Sequence, residues 1–110
     1  MILRNTDKRR QKAKKVLNII EDYCKLTNID LKKIKIIDVG GSVGYIAETF
    51  STIEIKKFIS MDIDFPAILW GKNNLNISEK FNVINGNQTT ITSTSMPDFL
   101  NEKDIKIINL

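Results

Sequence analysis

The sequence predicts an α/β fold, with an N-terminal amphipathic helix and a parallel sheet of about four strands in the order 3-2-1-4. Three observations carry this. Apolar residues recur at helical spacing between positions 7 and 25. Short β-branched runs recur four times after position 33, and the first stops at Gly40-Gly41 before a stretch of helical composition. A chain of 110 residues makes one domain, and at that size about two-thirds of the unfolded surface is buried.

The helix is read from Ala13, Val16, Leu17, Ile20, Tyr23 and Cys24, whose three- and four-residue steps make a single stripe. Asn5, Thr6 and Asp7 offer capping side chains at its start, and the polar residues 27–33 close it. The run Ile34-Lys35-Ile36-Ile37-Asp38-Val39 reads as a strand buried on both faces, as parallel strands are. A helix over 45–50 follows Gly44, then a second strand at Phe58-Ile59-Ser60-Met61-Asp62. Pro66 opens a helix over 67–74, because proline is tolerated in a first turn. Phe81-Asn82-Val83-Ile84 is a third strand ending at Asn85-Gly86-Asn87. Residues 89–95, rich in Ser and Thr, read as loop or weak strand, 97–102 as a short helix, and Ile105-Lys106-Ile107-Ile108 as a fourth strand. Residues 1–30 thus form a basic helix packed on the core, and 31–110 the α/β unit itself.

Composition excludes several chemistries. The chain has no histidine, so within it Ser-His-Asp and Cys-His pairs, His-ligated metals and imidazole proton shuttles are impossible. Lone Cys24 makes neither an intrachain disulfide nor a thiolate metal cage, and its apolar helical setting marks it as a small core residue. Met1, Ile2 and Leu3 run straight into Arg4 with no signal-like apolar core behind them. No run approaches the roughly 18 apolar residues of a membrane span. A cytoplasmic setting without membrane contact is expected.

The net charge of +4 is uneven. Arg4, Lys8, Arg9, Arg10, Lys12, Lys14 and Lys15 face only Asp7 within the first 15 residues, a local +6 on a body of −2. Such an arm suits RNA, anionic lipid or an acidic partner. The plainer reading is a solvated lysine-rich helix face.

The chemistry is concentrated in Asp38-Val39-Gly40-Gly41-Ser42-Val43-Gly44. Glycines after a strand let the backbone turn sharply and approach a ligand, and the following helix start offers N–H groups. A dinucleotide site needs G-x-G-x-x-G. Counting from Gly40, the later glycine positions fall on Ser42 and Tyr45, and counting from Gly41 on Val43 and Ile46.

The spacing instead resembles the first motif of class I S-adenosylmethionine-dependent methyltransferases, acidic-x-G-x-G-x-G. Asp38, Gly40 and Gly44 match it, Ser42 stands at the middle glycine, and Gly41 is additional. The second strand is similar to the family's second strand, whose terminal acid holds both ribose hydroxyls. Asp62 takes that place, 24 residues beyond Asp38, with Ile63 beside it. Ile84-Asn85-Gly86-Asn87 resembles the family's Gly-Asp pair beside the adenine, with Asn87 where aspartate is usual. Met96-Pro97-Asp98 and residues 104–109 resemble its loop and fourth strand.

The resemblance implies a Rossmann-like three-layer sandwich that binds S-adenosyl-L-methionine through Asp38, Gly40, Gly41, Ser42, Gly44, Asp62, Ile63, Gly86 and Asn87. It implies no metal and names no catalytic residue. The methyl acceptor is unassigned, a small molecule or glycan ranking ahead of RNA. Family members carry acceptor recognition beyond the fourth strand, so the chain reads as the cofactor half of a larger domain, and independent activity is not expected of it. Its fourth strand would then be an open edge suited to self-association or a partner chain. The alternatives are a non-catalytic or partner-completed binding module, an RNA methyltransferase fragment using the basic arm, and a nucleotide-dependent oxidoreductase.

Several of these residues also have purely structural readings. The Gly-Gly turn occurs in proteins that bind nothing there, Asp62 can be a surface acid, and Asn87 an ordinary turn residue. Asp64 competes for the ribose but is expected to favour the start of the helix opened by Pro66. Leu69 and Trp70 are expected in core or helix packing. Tyr45 either packs beside the site or on the sheet.

Overall fold

Nothing in the first 39 residues breaks a helix, since neither glycine nor proline occurs there. In the computed structural model, which describes residues 2–86 and 105–108, the first helix α1 accordingly runs over Ile2–Thr27. It starts before the expected cap, so Asn5, Thr6 and Asp7 lie inside it. Its end is built by Asn28, whose φ of 57° is left-handed. The Ile29 N–H donates to the Cys24 carbonyl at 2.9 Å and the Asn28 N–H to that of Lys25 at 3.4 Å. This is a Schellman closure with asparagine in the glycine position. Ile29 turns back onto the apolar cluster that holds Cys24.

After a single 3-10 turn at Leu31–Lys33, capped by the Asp30 carboxylate on the Lys32 N–H, the elements alternate. They are β1 (Lys35–Val39), α2 (Tyr45–Phe50), β2 (Lys57–Asp62), α3 (Phe65–Asn74) and β3 (Asn82–Asn85). The three strands form a parallel sheet with β2 in the middle, Ile37 opposite Ile59 and Ile59 opposite Asn82. On the far side of β1 a further strand, β4 (Ile105–Ile108), pairs in parallel with Asp38 opposite Ile107. Parallel neighbours need a crossover, and α2 and α3 supply it.

Alternation along β1 splits the core in two. Ile36 and Phe58 join Ala13, Leu17, Ile20 and Cys24 of α1 and Ala47 and Phe50 of α2 on one face. Ile37, Ile59 and Met61 cluster on the other, with Val39 and Ile84 against them. Phe58 is the centre of an aromatic row, 5.7 Å from Phe50 and 4.8 Å from Phe81 between ring centroids. The stripe expected on α1 is buried except at its margin, where Val16 is half-buried and Tyr23 stays 50% exposed.

The start of α3 is capped by Asp64, whose Oδ1 accepts the Ala67 N–H at 3.1 Å. Pro66 lies inside the first turn, and the helix begins at Phe65 rather than at position 67. Its inward line is Ile68, Gly71 and the flanking Leu75. Those three- and four-residue steps carry the line around the helix and leave Leu69 and Trp70 outside it. Both are nearly half exposed, correcting the expectation of core packing. Asn87, residues 89–95 and the helix expected at 97–102 lie outside the described residues. Among the described residues no helix is long and apolar enough to cross a membrane.

Candidate functional site

The turn after β1 is shaped by three left-handed residues at alternate positions, Gly40 (φ 77°), Ser42 (φ 54°) and Gly44 (φ 105°). Two successive N–H groups, of Gly40 and Gly41, donate to the Met61 carbonyl at 2.8 Å each, which ties the turn to β2. The Gly44 N–H closes it on the Gly41 carbonyl at 3.0 Å. Gly41, the residue additional to the motif, has its own reason to be glycine. A Cβ there would stand 2.5 Å from Ser60 Oγ and 3.0 Å from Asp38 Oδ2. Asp38 and Ser60 are both buried, so the turn rides directly over them. Asp38 therefore contributes to the site from beneath, by shaping the turn.

Asp62 is the node of the site. Its Oδ2 accepts the Ser42 N–H at 2.7 Å, and its Oδ1 accepts the Asp64 N–H at 2.8 Å. Its carbonyl accepts the Gly86 N–H at 2.9 Å and Asn85 Nδ2 at 3.1 Å. The same Asn85 amide also donates to the Ile63 carbonyl at 3.1 Å. Gly40, Gly41, Ser42, Asp62, Ile63 and Gly86 are thereby drawn together from the ends of three strands. Ile63 is 72% exposed beside the half-buried Asp62. Gly44 stands at the far end of the turn, where a Cβ would crowd Ile77. Asn87 lies outside the described residues.

Two contributors were not singled out from the sequence. Asn85 clamps the end of β2 with its side chain. Gly71 lets α3 lie against the turn, since a Cβ there would overlap the Val43 carbonyl. The signal for Gly71 was present: glycine inside a helix costs about 1 kcal/mol relative to alanine and usually has a packing reason.

A separate hollow of about 800 Å³ lies between the first half of α1 and the end of α2, lined among others by Asp7, Arg10, Lys14, Glu48 and Asn76. It shares no residue with the glycine turn. Arg10 and Glu48 close against each other there at 2.9 and 3.2 Å. The hydrogen bond from Arg10 holds the Glu48 carboxyl below its ordinary range, against a smaller opposing effect of burial, and the Arg10 guanidinium is raised in turn. Arg10 also sits 5.5 Å over the Tyr45 ring, and Tyr45 is buried. The pair is a brace between α1 and α2, and its charges are mutually spent. Burial pushes the Cys24 thiol up, away from the thiolate. Among the described residues no three His, Cys, Asp or Glu side chains are grouped to hold a metal.

No protein-family model matches this chain, and no curated protein matches it closely enough to count as a relative.

Proposed function

We propose that the turn at Gly40–Gly44 and the ends of β2 and β3 bind S-adenosylmethionine, and that the chain is a methyltransferase domain. The single observation that carries this reading is Asp62. A carboxylate at the end of the middle strand is held against a glycine turn by a backbone N–H. A carboxylate has roughly four acceptor positions, and two N–H groups occupy only part of them. The remaining lone pairs suit two vicinal hydroxyls of a ribose, through charge-assisted hydrogen bonds.

The other residues fit the same ligand. Gly40 and Gly41 present bare backbone, and exposed Ile63 offers an apolar surface for a neutral heterocycle. Gly86 keeps the third strand end close without a side chain in the way. Bound S-adenosylmethionine would supply an electrophilic methyl group, and its in-line displacement demands positioning rather than a metal or histidine. The reading takes the fold as Rossmann-like, with four strands in the order 3-2-1-4 and β4 as the edge through which copies associate. A cytoplasmic setting goes with it.

Titration calorimetry with S-adenosylmethionine and S-adenosylhomocysteine tests the reading, with NAD(H) as the contrasting ligand. Absence of heat with both sulfur ligands from folded protein would sink it. Tight NAD(H) binding would replace it with an oxidoreductase.

A further inference from the structure

The basic half of α1 presents a continuous helical surface. Ala13, Leu17, Ile20 and Cys24 bury one face of the helix in the core. The opposite side carries Lys8, Lys12, Lys15, Ile19 and Tyr23 at steps of three and four residues, and all five are exposed. Arg9 is exposed alongside them. No acidic residue occurs between Asp7 and Glu21. Among the described residues no carboxylate pairs with Lys8, Arg9, Lys12 or Lys15, whereas Arg10 is committed to Glu48.

We propose that this face of α1 binds a single-stranded nucleic acid, with Lys8, Arg9, Lys12 and Lys15 on its phosphates and Tyr23 as a stacking platform for a base. A row of cations leading to an exposed aromatic ring is the arrangement that holds an unpaired strand, because phosphates answer the charges and every base has a π-face. An anionic bilayer fits less well. A helix that lies on a membrane needs a broad apolar face to insert, and the broad apolar face of α1 is already in the core.

Arg10 belongs to another side of the helix. Within the basic stretch, it stacks over Tyr45, the residue that directly follows Gly44. Lys8, Lys12 and Lys15 lie on the side of the helix away from that contact. The proposal concerns binding alone, which is measured without cofactor.

The test uses the full chain, a fluorescein-labelled 20-nucleotide RNA of mixed sequence, and phosphatidylcholine–phosphatidylserine vesicles as competitor. RNA affinity is expected to fall linearly with salt on logarithmic axes. Combining Lys8→Gln, Lys12→Gln and Lys15→Gln removes three phosphate contacts and should reduce that slope by about 2, at roughly 0.7 per contact. Tyr23→Ala should weaken binding about fivefold or more, the loss of one stacked base, with the slope unchanged. Thermal melts of both variants, whose altered side chains are exposed, confirm that they fold. No RNA binding at low salt, a salt-independent affinity, an unchanged slope in the triple variant, or displacement of RNA by the vesicles would each overturn the proposal. Calorimetry with S-adenosylhomocysteine reports separately on the cofactor site, so either reading can fail without the other.

Discussion

The Ser42 N–H donates to Asp62 Oδ2 across 2.7 Å, joining residues 20 apart in the chain. One belongs to the turn after β1 and the other to the end of β2. This bond brings an anionic acceptor and a bare backbone turn together on one rim of the sheet. Removing the carboxylate with Asp62→Ala should weaken S-adenosylhomocysteine binding ten- to a hundredfold, because hydrogen bonds to charged groups are worth ~1.5–3 kcal/mol. Asp62→Asn should fall between the two, since its amide oxygen still accepts. Calorimetry gives the order, and equal affinity for all three proteins contradicts the assignment.

Ser42 bears a side chain in a left-handed conformation (φ 54°), which costs a non-glycine residue ~1–2 kcal/mol. Glycine relieves that strain but loses more chain entropy on folding. Ser42→Gly should therefore raise stability by about 0.5–1 kcal/mol, while Ser42→Val lowers it. Urea denaturation of the three proteins checks the sign.

Gly71 reverses the usual rule for helices. Glycine to alanine inside a helix ordinarily stabilises by ~1 kcal/mol. Here the added Cβ would run into the Val43 carbonyl, so Gly71→Ala should destabilise by about 1–3 kcal/mol, as overpacking does. A stabilised Gly71→Ala would mean that α3 does not lie against the turn.

Phe58 is fully buried at the centre of the aromatic row. Phe58→Ala should cost ~3–5 kcal/mol, a large share of the ~5–15 kcal/mol that holds a domain folded. Loss of the cooperative thermal transition, or a sharply lowered midpoint, is the expected reading.

Glu48 sets a pH dependence. Its carboxyl titrates below the ordinary 4.5 in the folded chain, chiefly through the Arg10 hydrogen bond. The folded state thus binds this proton more weakly than the unfolded state. The resulting stabilisation is complete above the ordinary value and is lost as pH falls through the lower folded one. Glu48→Gln should melt below the wild type at neutral pH, and the gap should close in acid. A gap that persists in acid would show that the Arg10–Glu48 pair is not its source.

Local chemistry made several features legible. The β-branched runs marked β1, β2 and β3 to within one residue at each end; β1 and β2, buried on both faces, leave a nearly continuous apolar signal, and β3 is marked by Val83 and Ile84 between turn-forming asparagines. Asp64 and Pro66 announced the start of α3 for capping reasons that act within one turn. Other features depend on partners distant in sequence. Whether Tyr23, Leu69 and Trp70 face the core turns on a few tens of degrees around a helix axis, and periodicity does not fix the angle that closely. Gly41 and Asn85 acquire their roles only when β1, β2 and β3 lie side by side, and the Arg10–Glu48 brace spans 38 residues.

By itself the sequence determined the class of the fold, the order of the elements from α1 to β3 and the glycine turn, since periodicity, β-branching and glycine content act locally. It also set the chemical limits, the absence of histidine above all. Only the tertiary structure decided which groups meet. It drew Asp62 against Ser42, put Gly71 beneath the Val43 carbonyl, buried Asp38 under the turn, and left the lysines of α1 facing solvent. Those outcomes come from packing one helix face and two sheet faces at once, and no single segment contains the information that sets their mutual distances.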